Sequence, residues 1–220
     1  MNASTTEIQL PGARLTLRDL TRDDLDAMEL WPPFSDPLNK LWNIPRSSSL
    51  GRDLWFVMHG SDPTRRWYAI ERREDRSVIG TLSLREIEAP ASARLGIGLG
   101  SAYVDQGYGS EALSLFLPYY FRRLGFQRLV LDVAAANQRA VHVYDKLGFR
   151  LTGSHYRNVP EETDLSFMQE PAYCHLLPYF RRHFGRTQLL FLDMALERRD
   201  WEASHTQPAK RAPATQGARS

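Results

Sequence analysis

Cysteine and long apolar runs are both scarce in this chain of 220 residues. The single cysteine, Cys174, excludes an intramolecular disulfide. No stretch approaches the roughly 18 uninterrupted apolar residues that a membrane-spanning helix needs. The N-terminus lacks the basic region followed by an apolar segment that marks a secretory signal. We therefore expect a cytoplasmic protein with no membrane partner.

Spacings that bind metals or dinucleotides are also missing. The chain has neither Cys-x-x-Cys nor His-Glu-x-x-His, so we expect no metal. Only the first half of a G-x-G-x-x-G fingerprint is present, which disfavours NAD binding. Cys174 precedes His175, but adjacent side chains point apart, so the pair does not indicate a nucleophile with its base.

Net charge is small, and its basic excess belongs to the C-terminal end. The formal net charge is +2, and residues 201–220 contain Lys210, Arg211 and Arg219 against Glu202. The remaining 200 residues are therefore formally neutral, and we expect no nucleic-acid partner. The Ala, Pro, Gln and Ser content from Glu202 onward predicts a disordered tail over 201–220, after one globular domain.

The first regular elements are a strand and a capped helix. Residues 14–19 alternate apolar and polar side chains, which predicts a half-exposed strand. Thr21 is typical of a helix N-cap and is followed by acidic residues that favour the first turn. We expect Leu25, Met28 and Leu30 to form the buried side of this helix.

Residues 31–63 are rich in prolines and contain several large aromatic side chains. Two interpretations stay open: these aromatics pack a lobe made mostly of loops, or they form the walls of a binding pocket for a substrate. The residues concerned are Trp31, Phe34, Trp42 and Trp55.

Three further strands are predicted over residues 67–71, 78–84 and 93–99. The third of these strands carries glycine at alternate positions 96, 98 and 100, so one of its faces has no side chains there. Glycine inside a strand often marks the close approach of a ligand.

A Gly-rich turn follows that strand and opens a helix. Gly107 and Gly109 remove two Cβ atoms where the helix of residues 108–124 begins. Free amides and the positive end of the helix dipole make this turn a natural site for a phosphate group. Pro118 lies inside the helix and predicts a kink near Ser114.

The second half repeats the order of strand and helix. Residues 129–133 predict a buried strand, and a helix with one apolar face follows Asn137. Gly148 lies where a left-handed cap belongs. Residues 150–156 and 189–196 predict two more strands. Between them lies an insertion, residues 157–185, with a short helix over 176–184.

The Gly-rich turn, together with Asn137 and the run Tyr144-Asp-Lys-Leu-Gly-Phe149, resembles the GNAT superfamily of acyl-CoA-dependent N-acetyltransferases. The similarity is strongest over residues 94–153 and extends more loosely over 13–200. It implies one α/β domain with a central mixed, twisted sheet and helices on both faces. It also implies acetyl-CoA as cosubstrate, bound between the fourth and fifth strands. The resemblance assigns its binding to Ile97, Leu99, Val104, Gly107, Tyr108, Gly109, Ser110 and Asn137. The family usually has Arg or Gln where this chain has Val104, which removes one contact to the pyrophosphate.

We predict direct transfer of the acetyl group to a primary amine, with no covalent enzyme intermediate, because the sequence shows no activated nucleophile. We expect Tyr144 to act as the acid, because a phenol with a reference pKa of about 10 can protonate a thiolate of about 8.5. The general base is less clear from sequence, since Arg94 occupies the position where relatives often have a glutamate. Candidate substitutes are Glu86, Glu88, Asp132 and His155, or a chain of waters.

The acceptor stays open between a protein N-terminus, an amino acid, a polyamine and an antibiotic. The run Gly-Tyr-Gly-Ser-Glu-Ala favours the subgroup that acetylates N-terminal amines of ribosomal proteins. A non-catalytic acetyl-CoA sensor or interaction module of the same fold is the alternative, and a homodimer is possible.

Overall fold

A computed structural model describes residues 8–36, 39–43, 46–161 and 163–206. Its centre is one nine-stranded mixed sheet in the order β1-β2-β3-β4-β5-β6-β9-β7, with β8 paired to β9. The strands are β1 Gln9–Pro11, β2 Leu15–Asp19, β3 Arg66–Arg72, β4 Val78–Glu88, β5 Ser92–Leu99, β6 Arg128–Ala134, β7 Arg150–Asn158, β8 Phe180–His183 and β9 Arg186–Glu197. The helices are α1 Arg22–Glu29, α2 Ser49–Gly60, α3 Tyr108–Pro118, α4 Gln138–Lys146 and α5 Arg198–Thr206.

Helices cover both faces of this sheet, as the sequence predicts. The Tyr68 ring packs 5.5 Å from Phe116 of α3, whereas its neighbour Trp67 packs 4.9 Å from Trp55 of α2. Successive strand residues point to opposite faces, so α3 and α2 lie on opposite sides of β3. The α/β fold class is confirmed.

The pairing of β5 with β6 decides where the sheet opens. The two strands are parallel and pair only at Ser92 with Arg128, Ala93 with Leu129, and Arg94 with Val130. Both strands continue beyond these residues without pairing to each other. The sheet therefore splits in its middle, and the edges of β5 and β6 face each other across a gap.

The first helix begins as predicted but ends earlier. Thr21 caps α1, and its capping box with Asp24 is complete. Leu25 is buried, but Leu30 is 84% exposed because it follows the last turn as the C-cap. The expectation that Leu30 belongs to the buried side is wrong.

Residues 31–63 contain more regular structure than the sequence indicates. Helix α2 starts after Ser48, whose Oγ accepts a hydrogen bond from Gly51 N at 3.1 Å. Leu50, Leu54 and Val57 on this helix are exposed, so its apolar pattern does not mark a buried stripe.

The helix predicted over residues 108–124 departs from the regular α-helical pattern after Pro118, and the kink near Ser114 stays a prediction. The helix runs as α3 to Pro118 and then widens into one π-helical turn, Tyr119–Arg123. Leu124 N donates to Tyr119 O at 2.9 Å across five residues. Pro118 has no amide proton, so the regular ladder is interrupted at that point and continues in the wider register.

Two predicted boundaries in the last quarter also move. The helix expected over 176–184 is a 3₁₀ segment, Pro171–Tyr179, followed by strand β8. Residues 201–206, expected to begin the disordered tail, belong to helix α5 instead. Trp201 in this helix is buried and packs 5.3 Å from Phe121. Residues 207–220 lie outside the described part of the chain. Among the described residues, no helix is long and apolar enough to cross a membrane.

Candidate functional site

A cleft of about 660 Å³ occupies the gap between β5 and β6. The start of α3 and one face of α4 close it on the side that carries the Gly-rich turn. Most of the site residues proposed from sequence line this cleft: Ile97, Leu99, Val104, Gly107, Tyr108, Gly109, Ser110, Asn137 and Tyr144. Glu86 and Glu88 do not line it.

The Gly-rich turn presents free amides to the cleft. Gly107 is the N-cap of α3 and has a φ of 79°, a left-handed conformation that favours glycine. Glu111 N donates to Gly107 O at 3.0 Å, so the helical ladder begins there. The amides of Tyr108, Gly109 and Ser110 precede that ladder, which leaves them available to an anionic ligand.

Arg14 holds this turn in place, a role that the sequence analysis missed. Its Nη1 donates to Gln106 O at 2.9 Å and its Nε pairs with Glu111 at 2.8 Å. Its guanidinium also lies 4.5 Å from the centre of the Tyr108 ring. These partners are more than 90 residues away in sequence, so no local pattern indicates the contact.

The two glycines of β5, Gly96 and Gly98, and Gly100 directly after the strand serve different purposes. A Cβ built on Gly96 would lie 2.6 Å from Ser83 Oγ, and one on Gly100 would lie 3.0 Å from the Trp31 ring. A Cβ on Gly98 would meet no atom within 4 Å. Gly96 and Gly100 thus admit neighbouring protein atoms, whereas Gly98 leaves open space in the cleft.

Helix α4 contributes its first residues to the same end. Asn137 Oδ1 caps the helix by accepting from Ala140 N at 3.1 Å, and Asn137 also lines the cleft. Arg139 lines it beside Val104 and pairs with Asp105 at 2.8 Å. The site therefore has a guanidinium near the position where Val104 lacks one.

Tyr144 lies on the α4 side of the cleft with its ring 5.7 Å from that of Phe149. The residue is 8% exposed. Burial raises the pKa of its phenol above the ordinary value, and the negative charge of Asp132 raises it further. The phenol therefore stays protonated at neutral pH.

Two acidic candidates for the base, Asp132 and Glu86, are already paired with arginines. Asp132 lines the cleft, but its two carboxylate oxygens contact Arg94 at 3.0 Å and Arg157 at 2.8 Å. Glu86 contacts Arg94 at 2.8 Å and is mostly exposed. The oxygens of both carboxylates that face these arginines are therefore already engaged in ion pairs.

His155 is engaged through both ring nitrogens. Its Nδ1 lies 3.0 Å from Asp193 Oδ2, and its Nε2 accepts from Arg157 Nε at 3.0 Å. The lone pair that a general base needs is thus used by Arg157. His155 is therefore engaged by charged neighbours, as Asp132 and Glu86 are.

The segment before α2 contributes two side chains to the cleft wall. Phe34 and Asn39 line it, and Ser101 Oγ donates to Pro32 O at 2.7 Å. Trp31 instead donates from Nε1 to Val78 O at 3.0 Å. Phe34 therefore fits the pocket-wall interpretation.

Trp55 fits the packing interpretation, since it stacks 4.3 Å from His59. The side chain of Trp42 lies outside the described residues. Cys174 is free and exposed and does not line the cleft. No group of three His, Cys, Asp or Glu side chains is placed to hold a metal within the described ranges.

Sequence comparison relates this chain to known acetyltransferases. The model of the acetyltransferase (GNAT) domain family matches residues 14–150. Spermidine N(1)-acetyltransferase of Vibrio cholerae is 27% identical over 139 residues, which cover 63% of this chain and 80% of that protein. The Escherichia coli spermidine N(1)-acetyltransferase is 26% identical over 146 residues, covering 66% and 77%. Mycothiol acetyltransferase of Corynebacterium glutamicum is 41% identical over 59 residues, covering 27% and 20%.

Solved structures share the fold. Spermidine N-acetyltransferase from Vibrio cholerae in complex with CoA and spermine superposes with a TM-score of 0.63 at 23% identity, covering 87% of this chain and 99% of that one. A GNAT-family acetyltransferase from Bacillus anthracis gives a TM-score of 0.62 at 14% identity, with the same coverage. The overall fold of this chain is therefore shared with these proteins.

Proposed function

The chain belongs to the GNAT acetyltransferase family and is an acetyl-CoA-dependent N-acetyltransferase, and from this premise we propose that it transfers the acetyl group directly to a primary amine between β5 and β6. The observation that carries the proposal is the unpaired edge of β5 beyond Arg94, which meets the free amides of α3 in one cleft. Backbone donors and an anion site are the features that an acyl-CoA needs.

The residues present fit acetyl-CoA. The amides of Tyr108, Gly109 and Ser110 are suited to its phosphates, and the open space at Gly98 admits the arm beside Ile97 and Leu99. Bound acetyl-CoA supplies an acetyl thioester. Val104 has no charged side chain to contact the pyrophosphate. We propose that Arg139 provides that positive charge.

Transfer forms a C–N bond and breaks the C–S bond, while the amine loses one proton and the departing sulfur gains one. We propose that Tyr144 Oη holds the proton for the sulfur, because the phenol is protonated and faces the cleft. The edge amides of β5 near Ile97 and Leu99 support the developing oxyanion.

For the amine proton we propose release to water. Asp132, Glu86 and His155 are held by arginines, and Glu88 lies outside the cleft lining. A protein N-terminus as acceptor, a homodimer and a cytoplasmic location stay predictions.

Calorimetry with acetyl-CoA, followed by a CoA-release assay over a panel of amines, tests this function. We expect binding and release of CoA with at least one amine class. Absence of binding at millimolar acetyl-CoA contradicts the proposed site. Tight binding with no transfer to any amine contradicts the proposed reaction and favours the sensor alternative.

A further inference from the structure

We propose that the amine acceptor carries a carboxylate, and that Arg85 binds this carboxylate where β4 lines the cleft. The proposal rests on the proposed function and adds the chemical class of its acceptor. It separates this chain from the relatives that are named for spermidine, a molecule with no carboxylate.

Arg85 is the charged side chain of the cleft that has no counterion in the described part of the chain. It lies on β4, paired in register with Arg94 of β5, and it lines the cleft. The other charged groups of the lining are paired: Arg139 with Asp105, and Arg157 with Asp132. A half-buried guanidinium without a carboxylate partner is a site prepared for an anion.

The backbone opposite Arg85 gives it room to reach a ligand. Its Nη2 and Nε lie 3.9 and 4.0 Å from the position of a Cβ built on Gly96. The guanidinium therefore lies beside the glycine face of β5. Arg85 and the open space at Gly98 are on neighbouring strands of one cleft.

Charge at this end of the cleft argues against a polyamine. Asp132 is the acidic residue of the lining there, and Arg94 and Arg157 already neutralise it. A polyamine would bring its second ammonium next to Arg85 with no carboxylate free to receive it, and like charges at short range repel. A carboxylate removes that conflict.

Matched acceptor pairs test the proposal. L-Phenylalanine, L-methionine and L-glutamate are each compared with the amine left after loss of the α-carboxylate, and spermidine is included. The readout is kcat/KM from CoA release. Because a hydrogen bond to a charged group is involved, we expect the carboxylated member of at least one pair to be preferred by about 10- to 100-fold.

Variants of Arg85 show whether that preference depends on the guanidinium. Arg85→Gln should bring the ratio within the preferred pair toward one, mainly through a higher KM. Arg85→Lys should restore part of it. Arg199→Gln is the matched control, since the Arg199 side chain is 85% exposed on α5, and it should leave the ratio unchanged. Unaltered acetyl-CoA affinity shows that the variants are folded.

Preference for spermidine or for the decarboxylated amines, with no change of ratio in Arg85→Gln, overturns the carboxylate proposal alone. Binding of acetyl-CoA without CoA release from any acceptor instead contradicts the proposed function on which it rests.

Discussion

At the scale of single residues, Tyr144 shows how burial changes the chemistry expected from a side chain. A free phenol has a pKa of about 10, and burial beside Asp132 raises it in this protein. The raised pKa keeps the proton on Oη throughout the neutral range but makes its complete transfer to sulfur more costly. We therefore expect Tyr144 to act by a strong hydrogen bond that becomes transfer only as the thiolate forms.

Replacement of Tyr144 by phenylalanine tests this role. The ring contact with Phe149 remains, so we expect unfolding free energy to change by about 1 kcal/mol or less. Turnover should fall by about 10²–10⁴-fold, the usual contribution of a positioned acid, while acetyl-CoA affinity changes little. Steady-state kinetics with calorimetry measure both quantities.

Tyr144→Ala provides the comparison for that variant. It removes the ring as well and should destabilise the protein by about 3–5 kcal/mol through a cavity. A fully active Phe variant beside a destabilised Ala variant would assign Tyr144 to packing and remove it from the mechanism.

At the scale of elements, β5 and the start of α3 line one cleft, and Gly98 of β5 is a position where an added methyl group would contact a ligand but no protein atom. Substitution of Gly107 mixes two effects, because its φ of 79° strains any other residue whatever the ligand does. Gly98 has no protein atom within 4 Å of a built Cβ, so a methyl group there meets only what enters the cleft.

Gly98→Ala should therefore weaken acetyl-CoA binding by about 5- to 150-fold, the equivalent of about 1–3 kcal/mol of overpacking. Its thermal stability should stay equal or rise slightly, since alanine restricts the unfolded chain. Gly60→Ala is the control, because Gly60 at the end of α2 also has nothing within 4 Å and lies outside the cleft lining. Equal acetyl-CoA affinities of Gly98→Ala and Gly60→Ala would mean that acetyl-CoA does not approach β5 at Gly98.

At the scale of the whole molecule, a buried ion pair joins α1 to the sheet. Arg18 of β2 contacts Asp24 of α1 at 2.7 Å and Glu71 of β3 at 2.7 Å. The Asp24 side chain is 7% exposed. Burial alone would raise the pKa of Asp24, but hydrogen bonds from Arg18 and Thr21 outweigh it and hold the pKa below its usual range.

Acid should therefore remove stability through this group. A carboxyl whose folded pKa is depressed stabilises the fold above its unfolded pKa of about 3.9, and that contribution is lost as pH falls through the folded value. Asp24→Asn should cost about 3 kcal/mol at neutral pH by leaving Arg18 without this partner. The difference from the wild type should shrink below about pH 4.

Chemical unfolding at a series of pH values measures that difference. Asp200→Asn is the control, since the Asp200 side chain is 59% exposed and contacts Arg199 at 3.5 Å. It should change stability by less than about 0.5 kcal/mol. A constant gap between Asp24→Asn and wild type from pH 7 to pH 3 would contradict the linkage.

The sequence by itself determined the features that depend on neighbours along the chain. Thr21 and Asn137 are helix caps, and Gly107 and Gly148 take left-handed backbone conformations. The order of strands around the Gly-rich turn also followed from local patterns, because caps, turns and strand alternation are set within a few residues. From these elements the sequence predicted the family, which is confirmed, and the acetyl-CoA site, which stays a proposal.

Tertiary structure alone decided which charges meet. Arg94 of β5 and Arg157 of β7 both form ion pairs with Asp132, so Asp132 is not a free base. Arg14 contacts the Gly-rich turn at Gln106, which lies 92 residues later in the sequence. Arg85 lies on β4 opposite Arg94, and it has no counterion in the described part of the chain. The sequence shows the charge of a side chain but not its ion-pair partner. The partner depends on strand register and on the point where β5 and β6 stop pairing, and both are properties of the assembled sheet.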